Sequence, residues 1–308
     1  MPRSFLELVQ QAADEIGIPR PTSLFGNVGD TERQLIALGN REVKEFSAVA
    51  NKNGGWQNLH KEYTFTTQFL ATTGNTTADS AVITNIPSTA GLVADTWAIS
   101  GNGFQAGTRI VSVDSATQVT VSNACLSTQT GVSLTFGQIA YSLPSDFEFF
   151  IDKTFWDNKF KWALIGPITA QEKQILRYGV VASGPRNKFY IRQNKMWLDP
   201  SPTDNTLIAY DYYSNAPVAA DAGGYSNVWT TDEDTYLLDE DVFIQGLKWR
   251  FLRAKGLDYM EEYETYNADV QRTIARDGGS RDLSLGGDGF NVQFLNGYNI
   301  PDTGFGGQ

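Results

Sequence analysis

The chain has 308 residues, 41% of them hydrophobic, and a formal net charge of −11 at pH 7, so it can bury the core of one large domain or two modest ones. That acidity argues against a protein that wraps nucleic acid, because phosphate contacts need a basic face. A single cysteine, Cys125, excludes an internal disulfide and reads as a small buried hydrophobe.

The first residues carry no apolar signal segment, and no run of about eighteen apolar residues occurs anywhere, so neither signal-directed export nor membrane spanning is expected. Ser4 with Glu7 forms a capping box, and Phe5, Leu8, Ala12 and Ile16 share one helical face before Gly17 and Pro19 end it. A second cap at Asp30 or Thr31 opens a helix with Ile36, Val43, Phe46 and Ala50 on its apolar side, running to Asn53-Gly54-Gly55. Tyr63, Phe65, Thr67 and Phe69 then alternate with polar neighbours as a strand.

From about residue 71 to 138 the composition shifts to Thr, Ser, Gly, Val and Ala, with Arg109 the only basic residue and no glutamate. Short alternating segments at 81–83, 109–113, 118–122 and 132–136, separated by turn residues, predict a small all-β domain. Within it "GNGFQAGTRIVSVD" spaces Gly101, Gly103 and Gly107 as G-x-G-x-x-x-G and runs on into a β-branched strand. A dinucleotide site needs G-x-G-x-x-G opening a helix, so these glycines mark a hairpin or bulge. The flanking strands place the domain as an insertion into a surface hairpin.

Beyond it come "LPSDFEFFIDKTFWDNKFKW", a capping box at Thr169 and Glu172, and the strands "KFYIRQNKMWLDP" and "LIAYDYYS". The longest predicted helix spans about Asp239 to Asp277, with Val242, Gly246, Trp249, Leu252, Gly256, Met260, Tyr263, Val270 and Ile274 at three- and four-residue spacings. Its first half is apolar on several sides, with Lys248, Arg250, Arg253 and Lys255 interleaved. It therefore reads as covered on two faces, with Gly246, Trp249, Arg250, Arg253 and Gly256 the candidate inter-subunit residues. Residues 279–308 hold too much glycine for a helix, yet present Phe290, Phe294, Tyr298 and Phe305, the anchors of an arm that orders against a partner.

Catalytic patterns are thin. His60 is the only histidine, which removes Ser-His-Asp and Cys-His arrangements unless it acts alone, and it reads as solvated or hydrogen-bonded. One Cys and one His cannot build a zinc site. The run Asp232-Glu233-Asp234 and Asp239-Glu240-Asp241 lacks the spacing of a Ca²⁺ loop, and Asp239 reads as a helix cap. Paired carboxylates and seven tryptophans raise a glycosidase, but Trp197 and Trp249 fall at core-facing positions. No catalytic, cofactor-binding or metal-binding residue is assigned, and no enzymatic activity is expected.

The order of elements carries the strongest signal: two capped helices, "YTFTT", "YSLPSDFEFFIDKTFWDN", "IGPITAQEKQIL" and "LLDEDVFIQGLKWRFLRAKGLDYMEEYETYNADVQRTIARDGG". Over about residues 1–70 and 138–280 this resembles the head-to-tail adaptor proteins of tailed bacteriophages, related to the tail tubular and head-completion proteins of short-tailed phages. The insertion resembles small β modules of phage virion proteins. The resemblance implies a ring of about twelve copies built by heterologous contacts, docked under the portal protein, continuing the DNA channel and offering a platform to the next tail or nozzle protein. It implies assembly in the host cytoplasm and residence at the head-tail junction of the virion, with genomic DNA passing through the channel without sequence-specific binding and no membrane partner. The expected fold is α+β: a helical bundle core with a long C-terminal helix and short strands over 1–70 and 138–278, an inserted Ig-like or barrel β-domain at 71–137, and an extended arm at 279–308. The alternative from another class is a carbohydrate-binding or carbohydrate-active virion or tail protein.

Overall fold

The structure, a computed structural model, describes residues 2–26, 29–50, 55–101, 103–105, 107–159, 161–178 and 187–277. Its helices are α1 Phe5–Ile16, α2 Asp30–Val49, α3 Ala170–Tyr178, α4 Glu240–Ala254 and α5 Met260–Asp277. The first strands are β1 His60–Thr66, β2 Phe69–Thr76, β3 Val82–Ile83, β4 Trp97–Ser100, β5 Ile110–Ser115, β6 Gln118–Val121, β7 Gln129–Gln138 and β8 Ala140–Ser142. Then follow β9 Phe147–Phe150, β10 Trp156–Asp157, β11 Trp162–Ala163, β12 Lys188–Arg192, β13 Lys195–Asp199, β14 Leu207–Ser214, β15 Val218–Ala219, β16 Tyr225–Ser226 and β17 Thr235–Tyr236.

This corrects the expected fold class. The described residues are mostly β, with five sheets and five helices, rather than a helical bundle core with a long C-terminal helix. The physical reason lies in the aromatic strands, which build a core of their own beside the helical one. β14 is the spine of the largest sheet: β1 pairs along its whole length, from His60 opposite Tyr213 to Thr66 opposite Leu207, while β10 and β9 share its other edge. Alternation along β14 turns Ile208, Tyr210 and Tyr212 inward onto Phe155, Phe189 and Met196. Each fully buried side chain of this size contributes about 1.5–3 kcal/mol.

The long helix is two helices because α4 ends in a Schellman turn. Gly256, at φ +72°, sends its N–H to the Arg253 carbonyl, and the Leu257 N–H reaches the Leu252 carbonyl. Asp258 then accepts the Met260 N–H at 3.2 Å and starts α5. The cap expected at Asp30 or Thr31 falls instead to Gly29, with no side-chain hydrogen bond and Asp30 already the first residue of α2, whereas the signals at Ser4 and Asp239 act as their chemistry requires. Ser4 and Glu7 exchange hydrogen bonds at the start of α1, and Asp239 accepts from the N–H groups of Asp241 and Val242.

Between Phe69 and Gln138, two three-stranded sheets, β2-β7-β4 and β3-β6-β5, face one another. Trp97, Ile99, Leu134 and Phe136 from the first meet Ile83, Ile110, Val119 and Val121 from the second in one cluster. This sandwich continues into the sheet β12-β13-β8 through a small cluster of Ala98, Ile139, Ala140, Tyr190 and Trp197.

Candidate functional site

Helix α4 is the hub of the helical layer, packed against α1, α2 and α5. Val242, Phe243, Ile244, Gly246, Leu247, Lys248, Trp249, Arg250 and Phe251 are all buried, so the helix is enclosed nearly all round. Its two buried cations are spent inside the chain. Lys248 meets Glu15 of α1 at 2.9 Å and Glu262 of α5 at 3.2 Å. Arg250 donates from Nε to Glu42 at 2.7 Å and from Nη2 to Glu45 at 2.8 Å, both on α2.

Glu42 is 0% exposed, and its other carboxylate oxygen accepts the Tyr266 hydroxyl at 2.8 Å, so one carboxylate ties α2, α4 and α5 together. Burial pushes its carboxyl up to about 7, against the opposing pull of Arg250 and Tyr266. The carboxylate fits only because Gly246 faces it: a Cβ there would lie 2.2 Å from the Glu42 carboxyl carbon. Gly246 and Arg250 therefore make contacts within the chain, and Gly256 makes the turn.

Trp249 and Arg253 sit differently. With Leu38, Arg41, Arg250 and Ala254 they line a groove of about 240 Å³ between α2 and α4. The Trp249 ring packs among Tyr259, Tyr263 and Tyr266, and its buried Nε1–H has no acceptor among the described residues. Just past the groove, the α4–α5 turn and the start of α5 present Leu257, Met260 and Tyr263 with 55%, 52% and 37% of their surfaces exposed. The result is an apolar shoulder beside a groove that offers hydrogen-bond donors, which suits contact with an acidic protein surface.

The arm residues Phe290, Phe294, Tyr298 and Phe305 lie outside the described residues. His60 stands half-exposed on β1, with Nε2 3.4 Å from Asp211. Trp56, Trp97, Trp197, Trp229 and Trp249 are buried, while Trp156 and Trp162 are exposed at the β10–β11 edge. Asp232 and Asp234 are spent on hydrogen bonds within the chain, Asp232 to Ser23 and Leu24, Asp234 to Thr230 and Thr231. Among the described residues no cluster of His, Cys, Asp and Glu could hold a metal ion, and no helix is long and apolar enough to cross a membrane. Sequence reasoning missed Glu42, although its position among Leu35, Gly39, Val43 and Phe46 on the buried face of α2 was a usable signal. A charge inside an apolar stripe demands a partner.

No protein-family model and no curated protein matches the chain.

Proposed function

We propose that the chain is a structural virion protein of a tailed phage, a head-to-tail adaptor whose copies close into a ring of about twelve by heterologous contacts. The ring joins the portal to the next tail protein at the head-tail junction and continues the channel through which the genome leaves. The observation that carries this reading is the exposed shoulder of Leu257, Met260 and Tyr263 beside the groove at Trp249 and Arg253, an apolar surface that a neighbouring subunit would cover. Two features of the sequence support it: the order of elements it shares with adaptor proteins, and an acidity that keeps a passing genome from sticking. The aromatic arm is assigned to the portal on its sequence.

Native mass spectrometry of the protein mixed with the portal ring of the same genome tests the proposal. The expected result is a defined multiple of 34.0 kDa added to the portal, and its loss when Leu257 and Met260 are both changed to Ser without a fall in monomer melting temperature. An intact portal ring that gains no mass would overturn it.

A further inference from the structure

A cleft of about 260 Å³ lies where the β-sandwich meets the β12–β13 hairpin, with Ile99, Ser100, Phe104, Arg109, Asp199 and Ser201 among its lining residues. Arg109 is the only basic residue between positions 71 and 138, and it is half-buried there. Two rings from the neighbouring sheet hold its guanidinium. It donates from Nη2 to the Tyr190 hydroxyl at 3.3 Å and lies 5.1 Å from the centroid of the Trp197 ring. Those rings are themselves fixed: Tyr190 stacks on Trp197 at an interplanar angle of 9°, and the Trp197 Nε1–H donates to the Arg192 carbonyl at 3.0 Å.

Every ion pair among the described residues leaves Arg109 out. A partly desolvated guanidinium with donors to spare is built to meet a planar anion. The rest of the cleft narrows the class of that anion. Phe104, Ile99 and Ile139 give apolar walls, and Ser100, Gln105 and Ser201 give hydroxyl and amide groups. The volume falls just below the range of about 300–1,000 Å³ that holds drug-sized molecules, so it suits one sugar ring.

We propose that this cleft binds a monosaccharide acid, with the carboxylate on Arg109, hydroxyls on Ser100, Gln105 and Ser201, and the ring against Phe104. The ligand is either a free sugar acid or the terminal residue of an acidic polysaccharide, and the two share this chemistry.

Saturation-transfer NMR on the full chain tests the site, with glucuronate and methyl β-glucuronide as probes, glucose as the neutral control and inorganic phosphate as the competing dianion. Transfer to glucuronate, to its methyl glycoside or to both, and none to glucose, is expected, with binding at least about tenfold weaker in Arg109→Gln, the loss of a charge-assisted pair. Preference for the methyl glycoside points to a polysaccharide terminus, and preference for the free acid to a soluble metabolite. No transfer at about 10 mM probe, equal transfer to glucose, or displacement by phosphate would overturn the proposal. Since Arg109 also braces Tyr190 and Trp197, melting is measured alongside. If Arg109→Gln melts early, Phe104→Ala decides: weakened binding supports the site and unchanged binding overturns it.

Discussion

At Gly246 one hydrogen atom in place of a methyl group lets α2 and α4 close over a buried carboxylate. Any side chain at this position would clash with the head of Glu42, which Arg250 and Tyr266 hold in place and which cannot swing away. Gly246→Ala is expected to destabilise the chain by about 1–3 kcal/mol through overpacking, read as a lower urea midpoint with an unchanged slope. Asp234 is the opposite case, a buried carboxylate that is fully served. Burial raises its pKa, but the Thr231 hydroxyl and the N–H groups of Thr230, Thr231 and Asp221 outweigh burial and hold it down to about 2. A carboxyl more acidic in the folded chain than in the unfolded one stabilises above about pH 4 and loses that contribution as pH falls toward 2. Asp234→Asn should therefore cost about 1–3 kcal/mol at pH 7 and differ little from the parent near pH 2, in urea unfolding at the two pH values.

At the scale of the element, the break between α4 and α5 shows why spacing alone misreads a helix. Apolar residues recur at three- and four-residue intervals on both sides of the turn, so periodicity runs through it. The chemistry of the stop was nevertheless written in Gly256, Leu257 and Asp258: a left-handed glycine, an apolar residue after it and a new cap. Gly256→Ala should cost about 1–2 kcal/mol, the penalty of a side chain in the left-handed region, and thermal melting of the variant measures it. The same turn produces the exposed shoulder at Leu257, Met260 and Tyr263, so a straight helix would also have removed the surface on which the assembly proposal rests. The β12–β13 hairpin turns at Gln193 and Asn194, both at positive φ, φ +53° and +55°. With no glycine or proline to mark it, that turn was hidden in a stretch that reads as one strand.

At the scale of the molecule, β2 and β7 leave and re-enter the host side by side, with Ala71 opposite Thr135. Replacing residues 73–133 with a short Gly/Ser turn should leave the remainder folding cooperatively, since joining adjacent strands costs little loop entropy. The melting midpoint should fall, because Ala98 and Arg109 no longer cover Trp197 and Tyr190. A differential scanning calorimetry trace with no cooperative transition would refute this. The sandwich is thus at once separable in its chain path and joined to the host by packing.

The sequence by itself determined the local devices: the capping box at Ser4, the cap at Asp239, the alternating strand at 207–214 and the shift in composition near residues 71 and 138. Each depends on neighbours within a few residues, where hydrogen-bond geometry and side-chain period are set by the chain alone. Only the tertiary structure decided that the aromatic strands form a second core, that Gly246 and Arg250 serve a carboxylate more than two hundred residues away on α2, and that Arg109 meets Trp197 in a cleft. Those pairings are set by which surfaces remain to be covered once the elements exist, and burial is non-directional, so no local pattern encodes its partner.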